Sequence, residues 1–240
     1  MALISLILRN IKPCPFSTPY PLIRLSRPMV HFSRSCRPQT MYLSSLFLLI
    51  FLSSLSQFSS AQAIPTTGWE QLNFKGKNII KAGPNYIHIK SKDSASAYFY
   101  KFENPIAQPF KLAWEWKVTN IFPTNPSSKL MDDYPARVYV IFEQSWRTGF
   151  KIRALNYVIT HESTEALEWR NPFSNDSIMF ARNITRENTW EEQSARPMAD
   201  YKRIFKRQNR AIGIAVMSDT DNTHREVEAW YRNIQIQLQP

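Results

Sequence analysis

The chain has 240 residues and a net charge of +11, from 30 basic residues against 19 acidic ones, with only two cysteines. Residues 1–63 hold six of the basic residues, both cysteines (Cys14 and Cys36) and no acid, so residues 64–240 keep 24 basic against 19 acidic residues, a net +5. That mild balance, without a polybasic tract or an Arg/aromatic repeat, argues against nucleic acid as a partner. A cysteine-free domain also excludes disulfide staples, thiolate metal sites and cysteine nucleophiles.

The leader comes first in chain order. A basic arm, the apolar block 46–52, a Ser-rich stretch and Ala61-Gln62-Ala63 are the parts of a secretory signal peptide, with cleavage expected after Ala63. The apolar block is shorter than the roughly 20 residues a membrane-spanning helix takes. The mature chain is therefore expected to have no transmembrane span and to be exported, either periplasmic or secreted. A start at Met29 would place Arg34 and Arg37 directly before the apolar block, whereas a start at Met41 would leave no basic arm; Met29 is the favoured start. An organelle presequence or an uncleaved anchor would share this composition.

From Ile64 onward the pattern is mostly of strands. In 110–121, Leu112, Trp114, Trp116 and Val118 point one way and Lys111, Glu115, Lys117 and Thr119 the other, the period of a half-buried strand. Further strands are predicted over 86–90, 95–102, 137–142, 155–160, 178–184, 211–217 and 227–238, the last with Trp230, Ile234, Ile236 and Leu238 on one face. Turn residues separate them at 104–105, 123–128, 171–175 and 219–223. This pattern predicts an all-β fold, an antiparallel β-sandwich of jelly-roll or galactose-binding-like type, as one domain over 64–240. One short helix is predicted over 199–208, with Asp200 as its N-terminal cap and Tyr201 paired with Ile204.

The densest chemistry lies in Ser218-Asp219-Thr220-Asp221-Asn222-Thr223. Short oxygen-bearing side chains at this density suit a hard cation such as Ca2+ or sugar hydroxyls, and they also suit a plain turn. Counted from Asp219, an EF-hand would need Gly where His224 stands and Glu where Trp230 stands, so this is not an EF-hand. A second acidic pair, Asp132-Asp133, precedes the strand at 137–142. One carboxylate from each turn could form a hydrolytic pair. In that strand Val138, Val140 and Phe142 read as core, while Arg137, Tyr139, Ile141 and Glu143 share the other face. Arg137 and Tyr139 suit a carboxylate or a sugar ring, although an ion pair between Arg137 and a nearby Asp is the simpler reading. Asn156, inside an apolar strand, needs partners and either ties down a neighbouring loop or faces a ligand.

Candidate ligand-binding residues are thus Asp132, Asp133, Arg137, Tyr139, Asn156, Asp219, Asp221 and Asn222, with Asp219, Asp221 and Asp132 as candidate metal ligands. Trp146, Trp169 and Trp190, in turn-rich stretches, are candidate stacking platforms, whereas Trp114 and Trp116 read as core. His88, His161 and His224 lack ligand spacing, and phosphate-loop, dinucleotide and HExxH patterns are absent. Two glycosylation sequons occur, at Asn175 and Asn183.

Taken in order, Trp114-Glu115-Trp116, Asp132-Asp133-Tyr134-Pro135-Ala136-Arg137-Val138-Tyr139, Ala154-Leu155-Asn156-Tyr157-Val158, Ala199-Asp200-Tyr201 with Phe205, and Gly213 through Thr223 resemble an exported bacterial family, domain of unknown function 3047. The likeness covers most of the mature chain, roughly residues 69–236. It implies an exported, periplasmic single domain without an assigned activity. The family pattern carries Gly after the helix Phe and ends Tyr-Gly-Asp-Ile; this chain has Lys206 and Tyr231-Arg232-Asn233-Ile234 instead. The expected function is non-catalytic binding of a glycan or other polyhydroxylated envelope component at the acidic turns. The alternatives are a polysaccharide hydrolase or lyase, the lyase using Tyr139 or His161 with Arg137, and a structural envelope protein.

Overall fold

The computed structural model describes residues 60–123, 125, 128–142, 152–161, 167–183 and 186–239. Most of the expected leader, Glu143, Trp146 and the end of the Asn183 sequon lie outside the described residues. Thirteen strands are described: β1 (Gln62–Ala63), β2 (Trp69–Lys75), β3 (Ile79–Ala82), β4 (Tyr86–Lys92), β5 (Ala95–Ile106), β6 (Phe110–Val118), β7 (Arg137–Phe142), β8 (Arg153–Thr160), β9 (Glu168–Asn171), β10 (Ser174–Asn183), β11 (Glu191–Ala195), β12 (Ala211–Asp219) and β13 (Glu226–Leu238). One helix, α1 (Pro197–Phe205), precedes β12.

The strands form two sheets, one in the order β11-β6-β13-β4-β3 with β1 beside β13, the other in the order β2-β5-β12-β7-β8-β10-β9. The sheets pack as an all-β sandwich. Pairing is antiparallel except between β8 and β10, which run parallel because the chain goes first to the outer edge as β9 and returns through a hairpin. Alternation fills the space between the sheets. Leu112, Trp114, Trp116 and Val118 of β6 meet Val138, Val140 and Phe142 of β7 and Leu155, Tyr157 and Ile159 of β8. Each fully buried Phe or Leu there contributes about 1.5–3 kcal/mol relative to exposure.

Three local expectations are corrected. In β13 the predicted shared face breaks at a bulge between Arg232 and Gln235, where Asn233 has φ +50°. One extra residue reverses the parity, so Ala229 and Tyr231 point inward before the bulge and Ile234 and Ile236 after it. Trp230 therefore faces outward, stacked on His88 at 4.6 Å. Asn104-Pro105 falls within the end of β5 rather than in a turn. The helix begins two residues earlier than expected: Pro197 needs no N–H partner at the first position, and Asp200 lies inside the first turn, accepting from Tyr157 Oη at 3.1 Å. The helix is closed by Lys206, which adopts the left-handed conformation at φ +55°, a position that favours Gly.

The seven-stranded sheet is apolar on both faces. Its outer face carries Leu72, Ala97, Phe99, Tyr139, Ile141, Ala154, Ala215 and Met217, all buried. Within this layer β12 bulges between Ala211 and Gly213, where any Cβ on Gly213 would collide with the Tyr100 carbonyl and the Phe99 ring.

Candidate binding cleft

At one end of that outer face lies a cleft of about 250 Å³. Strand alternation sets its floor, since Tyr139, Ala154 and Met217 come from β7, β8 and β12, joined by Ile152 and Phe74. The turn before β7 and the loop after β12 supply one wall, with Asp132, Arg137, Asp219, Asp221 and Asn222. The β9–β10 hairpin supplies the other, with Asn171, Phe173, Ser174 and Ser177. Six of the eight expected ligand-binding residues thus line one cleft; Asp133 and Asn156 do not.

Arg137 organises the acidic wall. Its Nε donates to Asp219 Oδ1 at 2.9 Å, its Nη2 donates to Asp219 Oδ2 and to the Asp132 carbonyl, and its Nη1 donates to Tyr139 Oη at 3.3 Å. The Tyr134 amide also donates to Asp219 Oδ1, at 2.9 Å, and the guanidinium lies 4.5 Å from the Tyr134 ring. Burial works against the Arg137 cation, but the Asp219 carboxylate outweighs it and holds the pKa above the usual value. Burial, helped by the charges of Asp133 and Asp132, pushes the Asp219 carboxyl well up against the opposing charge of Arg137. Three N–H donors converging on its two oxygens nevertheless match an ionised carboxylate, so the pair is an ion pair.

Asp133 is turned away from the cleft. It accepts from the Asn222 amide at 3.0 Å, Asn222 Nδ2 at 3.1 Å, and the Thr223 amide and hydroxyl, each at 2.6 Å. These bonds close the loop after β12 onto the turn before β7. Asn156 ties β8 to β10, donating from Nδ2 to Ser177 Oγ at 2.5 Å. Asp132 is different. It is 4% exposed, Oδ2 accepts from Asn171 Nδ2 at 3.2 Å, and Oδ1 has no hydrogen-bond partner among the described residues. Burial raises its pKa, against the opposing charge of Arg137. Asp221 is also raised, by burial and then by Asp133.

The carboxylates of Asp133, Asp219 and Asp221 each bring an oxygen within 4.8 Å of the others, so this buried acidic triad could hold a metal ion. Two of the expected metal ligands take part, with Asp133 in place of Asp132. The residues missed by sequence reasoning belong to the β9–β10 hairpin. Asn171 links the hairpin to Asp132 and accepts from the Phe173 amide at 2.8 Å, while Phe173 is 46% exposed at the cleft rim. A large aromatic inside a predicted turn was the available signal. Neither Trp169 nor Trp190 lines the cleft: Trp169 packs on Tyr134, and Trp190 lies under Arg232 at 4.0 Å.

Fold and cleft together define a β-sandwich protein with an acidic, partly apolar cleft on one outer sheet face. The chain belongs to the family described as Protein of unknown function (DUF3047), whose model matches residues 67–235. No curated protein matches it. Among solved structures it is similar to the family 11 carbohydrate-binding module of a cellulosomal cellulase of Clostridium thermocellum, at 11% identity and TM-score 0.41 over 75% of this chain and 95% of that one. It is also similar to the xyloglucanase domain of NopAA, a type three effector from Sinorhizobium fredii, at 10% identity and TM-score 0.42 over 75% and 98%. A family 29 carbohydrate-binding module from Piromyces equi matches at 8% identity and TM-score 0.36 over 75% and 92%. The likeness concerns the sandwich alone. Among the described residues, no helix is long and apolar enough to cross a membrane.

Proposed function

We propose that the cleft binds a carbohydrate, or a similarly polyhydroxylated ligand, without acting on it. One observation carries this reading: Asp132, a buried carboxylate with an unpartnered oxygen, stands in the wall of a cleft whose floor is apolar. A sugar ring presents C–H faces to apolar or aromatic side chains and hydroxyl donors to a carboxylate. Phe173 offers the exposed ring, and Ser174, Ser177 and Asn171 offer further polar partners. The leader composition agrees with export, which would bring such a protein to envelope glycans.

Catalysis and calcium are less well supported by the same residues. Asp219 is engaged by Arg137 and Asp133 by the loop it closes, so neither is free to move a proton. A calcium site needs six to eight oxygens at roughly 2.3–2.6 Å, whereas these two carboxylates already accept N–H and O–H donors and one of them pairs with a guanidinium. We read Asp133 and Asp219 as ties between the two turns.

The test is calorimetric titration of the protein with a panel of neutral, amino and acidic oligosaccharides, alongside an assay for new reducing ends. Saturable binding without product supports the reading. Released reducing ends would favour the hydrolase, and no saturable binding anywhere in the panel would sink the proposal.

A further inference from the structure

We infer that the ligand carries a protonated amine among its hydroxyls, as an amino sugar does; this rests on the carbohydrate reading above and narrows it. The charged groups lining the cleft are Asp132, Asp219, Asp221 and Arg137. Arg137 and Asp219 neutralise each other through a two-pronged contact. Asp132 and Asp221 remain.

Arg137 Nη2 does approach the Asp132 carboxylate, at 3.9 Å, but that nitrogen already donates to Asp219 and to the Asp132 carbonyl. Asp221 has Lys75 at 3.8 Å, on a side chain that is 54% exposed. A second rim cation, Lys129, lies 5.5 Å from the Phe173 ring. Charges on exposed lysines are screened by water and salt, while a carboxylate buried in the wall is screened much less. A hydroxyl in the cleft could hydrogen-bond the Asp132 carboxylate but would leave its charge unanswered; an ammonium answers both. A uronate or sulfated sugar would meet repulsion from the same groups. The apolar floor and the exposed Phe173 ring favour an amine borne on a sugar ring, whose C–H face they can cover.

The experiment titrates the full chain with a glucosamine tetramer, an N-acetylglucosamine tetramer, cellotetraose, a galacturonate tetramer and spermidine, at low and at high salt. The expected result is about tenfold tighter binding of the glucosamine tetramer than of cellotetraose, the size of one compensated charge. That preference should shrink with salt and fall towards unity in Asp132→Asn and in Asp221→Asn. Equal or tighter binding of the acetylated or neutral tetramers overturns the inference and leaves the carbohydrate reading standing. Spermidine binding as tightly as the glucosamine tetramer also overturns it, since charge alone would then suffice. If none of the tetramers binds, the carbohydrate reading fails with it.

Discussion

Arg137 and Asp219 sit on neighbouring antiparallel strands, β7 and β12, and the guanidinium grips both oxygens of the carboxylate in a pair that is 4% exposed on each side. Removing one member leaves the other charged and buried. Asp219→Asn or Arg137→Met should each cost about 3–5 kcal/mol in denaturant unfolding, and the double variant clearly less than the sum. Strictly additive losses would mean that the two side chains do not act as a pair.

Asp132 should act in the opposite direction. Burial raises its pKa, so the folded state holds its proton to higher pH than the unfolded state does. Its contribution to stability therefore falls as pH rises from the ordinary carboxylate range, near about 4, through the raised value. At neutral pH the ionised group is a net cost. Asp132→Asn should raise the melting temperature at pH 7 and lose that advantage near pH 3, where both forms are neutral. A lower melting temperature at pH 7 would make Asp132 a structural residue.

Phe173 separates binding from folding. Nearly half exposed, it contributes little to the core, and Phe173→Ala should leave the melting temperature almost unchanged. Loss of a stacking face worth about 0.5–1.5 kcal/mol should weaken oligosaccharide binding several-fold. Unchanged affinity would place the ligand elsewhere in the cleft.

Lys206 bears a conformational cost at the end of α1. A non-glycine residue at φ +55° pays about 1 kcal/mol relative to glycine. Lys206→Gly should accordingly raise the melting temperature by about 2–4 °C. No rise would mean that the lysine side chain makes a compensating contact.

Much of this architecture was legible from alternation. β7 lies over the predicted 137–142, and its two faces divide as the period of two requires. The missed strands failed for physical reasons: β3, β9 and β11 are sheet edges too short for alternation to show, with Ala195 their one buried residue, and β2 places Trp69 and Leu72 three residues apart, with a bulge further on. In β13 the reading holds for Ile234 and Ile236 and fails at Trp230, because nothing local announces the bulge at Asn233. The two acidic turns were legible as oxygen-rich, and the structure brings them together. The sequence could not reveal that Asp133 is engaged by Asn222 and Thr223 while Asp132 keeps a free oxygen, because that division depends on side-chain directions across β7 and β12. The hairpin wall was invisible for the same reason, since its place is set by the parallel β8–β10 pairing.

The positions of β12 and β13 also govern when the protein can fold. β12 lies between β5 and β7 in one sheet, and β13 between β4 and β6 in the other, so the last two described strands occupy the interior of both sheets. The seven-stranded sheet cannot close until β12 has emerged from the ribosome, nor the other sheet until β13 has. The loops closed by these pairings are long, which places the chain among the high-contact-order proteins that fold in milliseconds to seconds. A truncation that removes only β13 would unfasten the whole sandwich rather than trim its edge.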